Sequence, residues 1–379
     1  HHDAVEDMAS TQPISIPLAG EWTMNGASWT LDQNGLRLDS GYVDADLVQV
    51  PFTGLQILPT QIEYGTYALD RILLSNTVEI TFISDPYFVY DQGTNDWKIG
   101  ALPKQGETYC GYIDALPGMK PTDNILIESF SLRSSGQKNF KPYAGNNITL
   151  YNVATYAIDQ LYAKSNYIEV AGSIDFGVPK LAPVNVISTY AREGSEIVFR
   201  QFPILETISV NGVNIKFKSS GSDPPQWFDE AGWHANVDVF EEGAFRLASM
   251  LHRTPAKTGI IVNAGEEVPI GTVKLAAVEG EMKVVDDAWS LFWFEGDLTN
   301  NSQGGRLRFE VQGEITASGQ EIGVEKVETP FGDLKLVYNF EEQQIEGSMY
   351  VEQELSGTTV EGSANLVISG VGKGWYFFV

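Results

Sequence analysis

Apolar and polar residues alternate along much of this chain with the period of two that is typical of half-buried β-strands. Residues 306–312 place apolar side chains on one face and charged or polar side chains on the other. Within 208–218 the pair Asn211-Gly212 separates two alternating runs, which is a strong signal for a β-hairpin turn. The pattern therefore predicts an all-β, mainly antiparallel fold of twisted sheets, arranged as a sandwich or a meander.

One segment favours a helix instead. Over residues 238–252 the apolar positions can be drawn as one helical stripe, and Pro255 stops the run. These apolar positions are Val239, Phe240, Phe245, Leu247 and Leu251. The sequence thus predicts one short helix near 238–252, with His252 at its C-terminal end, where a cation interacts favourably with the helix dipole. Strands and helices do not alternate, so a parallel βαβ fold is not expected.

A short pattern, apolar-x-Gly-(Ser/Glu)-apolar, recurs along the chain. Its glycines are Gly172, Gly280, Gly313, Gly347 and Gly362. A glycine inside a strand marks a bulge, a bend or a close approach of another backbone. The recurrence predicts repeated strands that bend at one level of an antiparallel meander.

Linker-like segments at 219–225 and 253–259 suggest how the chain is organised. The predicted division is a leader with a tag remnant at 1–12, a β module at 13–145, a β module with the short helix at 146–268, and an antiparallel meander with glycine-containing strands at 269–379. His1 and His2 are typical of an affinity tag. The last residues, 374–379, have the pattern of a strand in mid-course, so we expect a segment of a longer protein.

The charge of the chain restricts its partners. The chain has 379 residues, 43% of them hydrophobic, and its 24 basic and 50 acidic residues give a net charge of −26. A surface this negative repels phosphate backbones and anionic lipid head groups, so no nucleic-acid partner is expected. No apolar run approaches the roughly 20 residues of a spanning helix, so no membrane span is expected in this segment. Secreted proteins are often acidic because the charge keeps them soluble, so a secreted or cell-surface location is expected.

The sequence lacks the residues that several kinds of catalytic and metal-binding site require. Cys110 is the one cysteine, which excludes an internal disulfide and a thiolate zinc cluster. Only His234 and His252 remain as histidines beyond the first two residues, and no Gly-x-Ser-x-Gly or phosphate-binding glycine motif occurs. Hydrolytic triads and nucleotide enzymes are therefore not expected, and neither is an organic cofactor.

Residues 226–238 contain the densest group of aromatic and ionisable side chains. The candidate ligand-binding residues are Trp227, Asp229, Glu230, Trp233 and His234. Sugar-binding sites combine aromatic rings that stack on sugar faces with carboxylates that accept hydroxyl hydrogen bonds, and glycosidases add a carboxylate pair at a set distance. The alternative is that the tryptophans pack this loop onto a sheet as part of the core.

A second candidate is a calcium site in residues 91–96. Asp91, Asn95 and Asp96 supply hard oxygen ligands at short spacing, although the loop lacks the EF-hand pattern. The alternative is a turn capped by Asp and Asn side chains. Calcium is thus a candidate ligand of this segment.

Two passages, 331–351 and 30–48, prompt a resemblance to long repetitive β proteins of the bacterial envelope. Residues 331–351 look like the strand-turn-strand units of large exported proteins, including surface stalks and AsmA/TamB-like groove proteins. The resemblance covers the last third of the chain. It implies repeated antiparallel strands and, for an AsmA/TamB-like protein, an open sheet with an apolar groove for lipid. It transfers no functional residue.

Taken together, the residues favour a non-catalytic β-rich segment of a larger secreted or cell-surface protein, with a structural or ligand-binding role and a glycan or another surface protein as its partner. One alternative is a carbohydrate-active enzyme of the glycoside hydrolase type, because paired carboxylates can serve as acid and base without histidine. A second alternative is a lipid-handling envelope protein. No catalytic residue is assigned.

Overall fold

The fold is that of a computed structural model, which describes residues 8–18, 20–32, 35–45, 48–57, 71–75, 77–91, 93–164, 166–211, 213–219, 224–242, 245–270, 273–299, 306–311, 321–329, 332–339, 344–355, 358–368 and 376–378. Within these ranges the regular elements are antiparallel β-strands and no helix occurs. The predicted all-β, mainly antiparallel class is therefore confirmed. No helix in the described ranges is long and apolar enough to cross a membrane.

The chain forms two compact units. The first comprises His1–Ile174 and Pro183–Pro203, and the second comprises Asp175–Ala182 and Ile204–Val379. The three-module division drawn from the sequence stays a prediction.

The first unit contains a 12-stranded sheet and a 5-stranded sheet. The strands of the larger sheet are β1 (Met8–Ser10), β2 (Ile14–Pro17), β3 (Thr23–Asp32), β4 (Gly35–Asp44), β5 (Val48–Ile57), β6 (Arg71–Leu74), β7 (Val78–Phe82), β8 (Tyr87–Asp91), β9 (Asp96–Ala101), β10 (Gly111–Ile113), β11 (Ile125–Arg133) and β12 (Lys138–Pro142). They are ordered β1-β3-β4-β5-β6-β7-β10-β11-β9-β8, with β2 beside β3 and β12 beside β11. The pairing of β9 with β11 brings together segments that lie far apart in sequence, and the candidate calcium loop lies at the end of this pair.

The smaller sheet follows the chain order. Its strands are β13 (Asn146–Leu150), β14 (Ala154–Ala163), β15 (Tyr167–Asp175), β16 (Val184–Glu193) and β17 (Glu196–Arg200).

The second unit contains a 16-stranded sheet. Its strands are β18 (Ile208–Val210), β19 (Val213–Phe217), β20 (Gln226–Asp229), β21 (Gly232–Glu242), β22 (Phe245–Arg253), β23 (Thr258–Val262), β24 (Glu266–Ile270), β25 (Val273–Val285), β26 (Ala288–Trp289), β27 (Phe292–Thr299), β28 (Arg306–Val311), β29 (Glu321–Thr329), β30 (Gly332–Asn339), β31 (Gln344–Leu355), β32 (Thr358–Ile368) and β33 (Tyr376–Phe378). The order is β18-β19-β21-β22-β23-β25-β27, continuing through β28 to β33, while β20 pairs with β21, and β24 and β26 pair with β25. The pairing of β18 with β19 confirms the hairpin predicted within 208–218.

The helix predicted near 238–252 is wrong, because this segment forms the hairpin of β21 and β22. The alternation continues from residue 233, upstream of the segment, and it has the period of a strand. Trp233, Ala235, Val237 and Val239 are all 0% exposed on one face of β21. A face of such length stabilises a strand more than the helical stripe, which required apolar residues from both arms of the hairpin. His252 consequently lies within a strand, and it has no helix terminus beside it.

Two of the recurring glycines have the close backbone contacts that the pattern predicts. A Cβ on Gly172 would lie 1.9 Å from the carbonyl oxygen of Ala157, and a Cβ on Gly280 would lie 2.6 Å from that of Trp293. Any side chain there would force neighbouring strands apart. Gly313 lies outside the described residues.

Candidate functional site

The candidate residues of 226–238 lie in the tight hairpin between β20 and β21. Asp229 and Gly232 are register partners at its end, so Glu230 and Ala231 form the turn. The Oδ1 atom of Asp229 accepts hydrogen bonds from the backbone N–H groups of Ala231 (2.8 Å) and Gly232 (3.2 Å). This is the local side-chain-to-backbone bonding for which aspartate is favoured in turns. Glu230 is exposed in the turn.

Trp233 lies on the core face of β21. Its side chain is fully buried, and its ring stacks on that of Phe176 with 4.0 Å between centroids. Phe217 lies further away, at 6.4 Å. Trp233 therefore contributes to the core, as the alternative interpretation of this segment expects.

Trp227 and His234 face the opposite side of the hairpin. They are register partners, and their rings stack at 5.2 Å with 17° between planes. Trp227 is half-buried, whereas His234 is only 8% exposed. The Nε2 atom of His234 lies 3.1 Å from Oδ1 of Asp229. The structure thus brings together Trp227, Asp229 and His234 and places Trp233 on the other face.

The electrostatics of Asp229 favour its ionised form. Burial acts to raise the pKa of Asp229, but the hydrogen bonds from His234 and from the backbone of Ala231 and Gly232 outweigh it, so the pKa lies below its usual range. A carboxyl that serves as the general acid of a glycosidase needs a raised pKa, because it must be protonated when the leaving group departs. Asp229 is unsuited to that role.

His252 is a neighbour of this site that the sequence did not reveal. It is the register partner of His234 across β21 and β22, and it is 7% exposed. Burial, then the positive charge of Lys257 and then that of His234 lower the pKa of His252, and Glu281 opposes them. The strand alternation on both arms could have indicated a hairpin, but the register shift between Val239 and Glu242 means that the position of the turn alone would not have given this pairing.

The candidate calcium residues lie in the hairpin between β8 and β9. Asp91 and Asp96 are register partners. Asp91 accepts a hydrogen bond from the backbone N–H of Gly93 (3.1 Å) and pairs with Arg133 (3.2 Å). Asn95 has a positive φ of 53° and accepts a hydrogen bond from the hydroxyl of Tyr90. Both residues already have protein partners.

Asp96 is buried to 3% exposure and completes this network. Its carboxylate accepts hydrogen bonds from the Ser134 hydroxyl and from the backbone (2.9 Å) and hydroxyl (2.7 Å) of Ser135, and Arg133 lies 3.5 Å away. Burial acts to raise the pKa of Asp96, but the hydrogen bonds from Ser134, Ser135 and Arg133 outweigh it and lower the pKa. Among the residues that the structure describes, no group of three or more His, Cys, Asp or Glu is placed to hold a metal ion. The calcium site stays a prediction.

A cleft of ≈ 210 Å³ lies beside this network. Its lining includes Trp22, Ala45, Leu132, Arg133, Ser134 and Lys138. The volume is below the roughly 300–1,000 Å³ of ordinary ligand pockets. Sequence reasoning missed Arg133, because its approach to residues 91–96 depends on the pairing of β9 with β11.

No protein-family model, curated protein or solved structure matches this chain.

Proposed function

We propose that this chain is a non-catalytic β-rich segment of a larger secreted or cell-surface protein of the bacterial envelope, and that its role is structural. The observation that carries the proposal concerns the 226–238 segment, which has the densest group of aromatic and ionisable side chains. The structure uses side chains of this group for core packing and for closing a turn. Trp233 is fully buried against Phe176, and Asp229 closes a turn and bonds His234. These side chains contribute to the fold.

The electrostatics of the ionisable groups also support a non-catalytic role. The lowered pKa of Asp229 makes it a poor general acid. Burial raises the pKa of Cys110 to about 11, so its thiol stays protonated and is a weak nucleophile at neutral pH. Asp96, the most buried carboxylate of the first unit's candidate site, is bound by two serines and an arginine.

The topology of the second unit supports an extended structural role. Strands β27 to β33 pair with one another in chain order, each antiparallel to the next. Such a meander grows by the addition of hairpins, which agrees with the resemblance of 331–351 to the repeated units of envelope β proteins. The net charge of −26 agrees with a surface partner that is neither nucleic acid nor anionic lipid.

Carbohydrate binding is the second candidate function, and one observation favours it. The ring of Trp227 remains half-buried rather than enclosed, and the exposed carboxylate of Glu230 lies in the adjoining turn. An accessible aromatic ring beside carboxylate acceptors is the combination that sugar recognition uses. The carbohydrate-active enzyme and the lipid-handling protein stay predictions with no further observation in their favour.

A glycan array probed with the purified chain, in calcium and again in chelator, tests the proposal. We expect no saturable binding in either buffer and no release of reducing sugar from a polysaccharide panel. Trp227→Ala serves as the site variant, because its ring is accessible, and Trp233→Ala serves as the core control. We expect Trp233→Ala to lower the free energy of unfolding by about 3–5 kcal/mol, since it removes a buried aromatic ring, and Trp227→Ala to have a smaller effect.

Two results would overturn the structural role. Saturable binding to one glycan class that Trp227→Ala abolishes without a change in melting temperature would establish the second candidate. Sugar release by the unmodified chain would establish an enzyme.

A further inference from the structure

Four residues on four neighbouring strands of the second unit are successive register partners and so form one row across the sheet. Trp227 on β20 is the partner of His234 on β21, His234 is the partner of His252 on β22, and His252 is the partner of Gly259 on β23. Register partners on adjacent antiparallel strands project to the same face, with Cβ atoms about 4.5–5.5 Å apart. The two internal histidines of the chain are therefore direct cross-strand neighbours.

Both imidazoles are buried, and neither is fully hydrogen-bonded. His234 and His252 are 8% and 7% exposed, and the Nδ1 atom of each has no hydrogen-bond partner among the described residues. A buried polar atom without a partner loses its hydrogen bond to water and gains none in return, so such atoms are rare and call for an explanation. The carboxylate of Asp229 can only accept, so the proton of neutral His234 is on Nε2 and the Nδ1 lone pair is its basic site.

The sheet leaves room for His252 through a glycine. A Cβ on Gly259 would lie 3.1 Å from Cε1 and 3.3 Å from Nε2 of His252. The imidazole therefore lies directly over the backbone of β23, in a space where any larger residue would crowd it. This placement holds the imidazole between His234 on one side and β23 on the other.

We propose that His234 and His252 form an acid-sensitive latch. While both imidazoles are neutral, they pack in one row and hold β20, β21, β22 and β23 together. Proton uptake by His252 on acidification places a buried positive charge beside that of Lys257 and directly opposite His234 on the neighbouring strand. Like charges so placed repel each other and destabilise the pairing. The latch then releases this end of the sheet and exposes the hairpin that carries Trp227.

The charged groups around the pair favour a response on the acidic side of neutrality. Asp229 on β20 faces His234, while Lys257, in the turn before β23, and Glu281 on β25 act on His252. Lys283, also on β25, forms an ion pair with Glu281. This ion pair weakens the stabilisation that the Glu281 carboxylate can give to a protonated His252. Among the described residues, the one carboxylate hydrogen-bonded to the pair is Asp229, which bonds His234, while His252 lies close to the positive charge of Lys257.

The sign of the pH dependence follows from His252. Burial, Lys257 and His234 lower the pKa of His252 from its usual value of 6.5. Below pH 6.5 the unfolded chain therefore binds a proton at His252 that the folded chain does not yet bind. The free energy of unfolding consequently falls as the pH decreases towards the folded-state pKa of His252. Asp229, whose pKa is lowered, stays ionised throughout this window.

The test is the free energy of unfolding in denaturant, measured from pH 8 to pH 5 for the unmodified chain, His252→Gln, His234→Gln and the double variant. Glutamine retains hydrogen-bonding capacity but cannot be protonated in this range. His1 and His2 are present in every protein, so their contribution cancels. We expect the unmodified chain to lose stability below pH 6.5, His252→Gln to lose less, and the double variant to be the flattest. Lys257→Gln should lessen the loss, because it removes a positive charge beside His252.

A matching pH dependence in the unmodified chain and the double variant would overturn the latch. If a variant fails to fold, an NMR titration of the histidine ring protons in the unmodified chain decides the matter. Two internal histidines that titrate independently, both at the usual value, would contradict the proposal, whereas a His252 titration displaced to lower pH with line broadening of the β20–β22 signals would support it.

Discussion

Two hairpins each contain a buried ionisable side chain that lies close to an aspartate. In the hairpin of β8 and β9 it is Asp96, and in the hairpin of β20 and β21 it is His234. The two side chains differ in how completely their polar atoms are hydrogen-bonded. At the first, Asp96 is bonded by Ser134, Ser135 and Arg133. At the second, the imidazoles of His234 and His252 each keep one buried nitrogen without a partner. The hydrogen bonds of Asp96 favour its charged form, whereas the lowered pKa of His252 favours its neutral form.

Because of this difference, the stability of the two regions should depend on pH in different ways. The lowered pKa of Asp96 means that its contribution to stability is present above the usual aspartate value and is lost only as the pH falls through the lowered pKa. The contribution of His252, whose pKa is also lowered, is lost earlier, as the pH falls below 6.5. Mild acid should therefore act on the β20–β23 region and spare the β8–β9 region.

Among the substitutions of ionisable residues and glycines, the largest expected effect is that of Asp96→Ala. Removal of this carboxylate leaves two serine hydroxyls, a backbone N–H and part of the charge of Arg133 without their acceptor, so we expect a loss of about 3 kcal/mol. The loss should be the same at pH 7.5 and pH 5.5, as measured by denaturant unfolding. Asp91→Ala is the control, because its side chain is 35% exposed whereas that of Asp96 is 4% exposed, so we expect a smaller loss from its removal. Equal losses in the two variants would refute the central place of Asp96.

A smaller effect is expected for Gly259→Ala. The added methyl would lie 2.9 Å from the carbonyl oxygen of Met282 and against the ring of His252, and such overpacking costs about 1–3 kcal/mol. Because the methyl displaces His252, the pH dependence between 8 and 5 should change as well, which denaturant unfolding across that range measures.

Gly100→Ala on β9 is the matched control for this glycine. Its methyl would lie 2.5 Å from the hydroxyl of Tyr87 and 2.8 Å from the carbonyl oxygen of Phe130, so it should also destabilise the fold. It touches no histidine, and its loss should not vary between pH 7.5 and pH 5.5. A pH-dependent loss in Gly100→Ala that equals that of Gly259→Ala would mean that the acid response is not specific to the histidines.

The sequence could predict those features that depend on near neighbours. The hairpin within 208–218 follows from Asn211-Gly212 between alternating runs, and the link between Asp229 and His234 spans a single turn. The helix at 238–252 fails because the apolar residues of both arms of a hairpin can imitate a helical stripe when the turn is overlooked. The remaining contacts of the two candidate sites depend on which strands pair and in which register. The approach of Arg133 to Asp96 and of His252 to His234 depends on register between strands, which no local pattern encodes.

Amide hydrogen exchange of the unmodified chain at pH 7.5 and pH 5.5, corrected for the intrinsic effect of pH on the exchange rate, tests the contrast most directly. The expected result is faster exchange at pH 5.5 in peptides covering 226–262 and unchanged protection in peptides covering 87–101 and 125–142. Unchanged protection of 226–262, or an equal loss of protection in both regions, would contradict it.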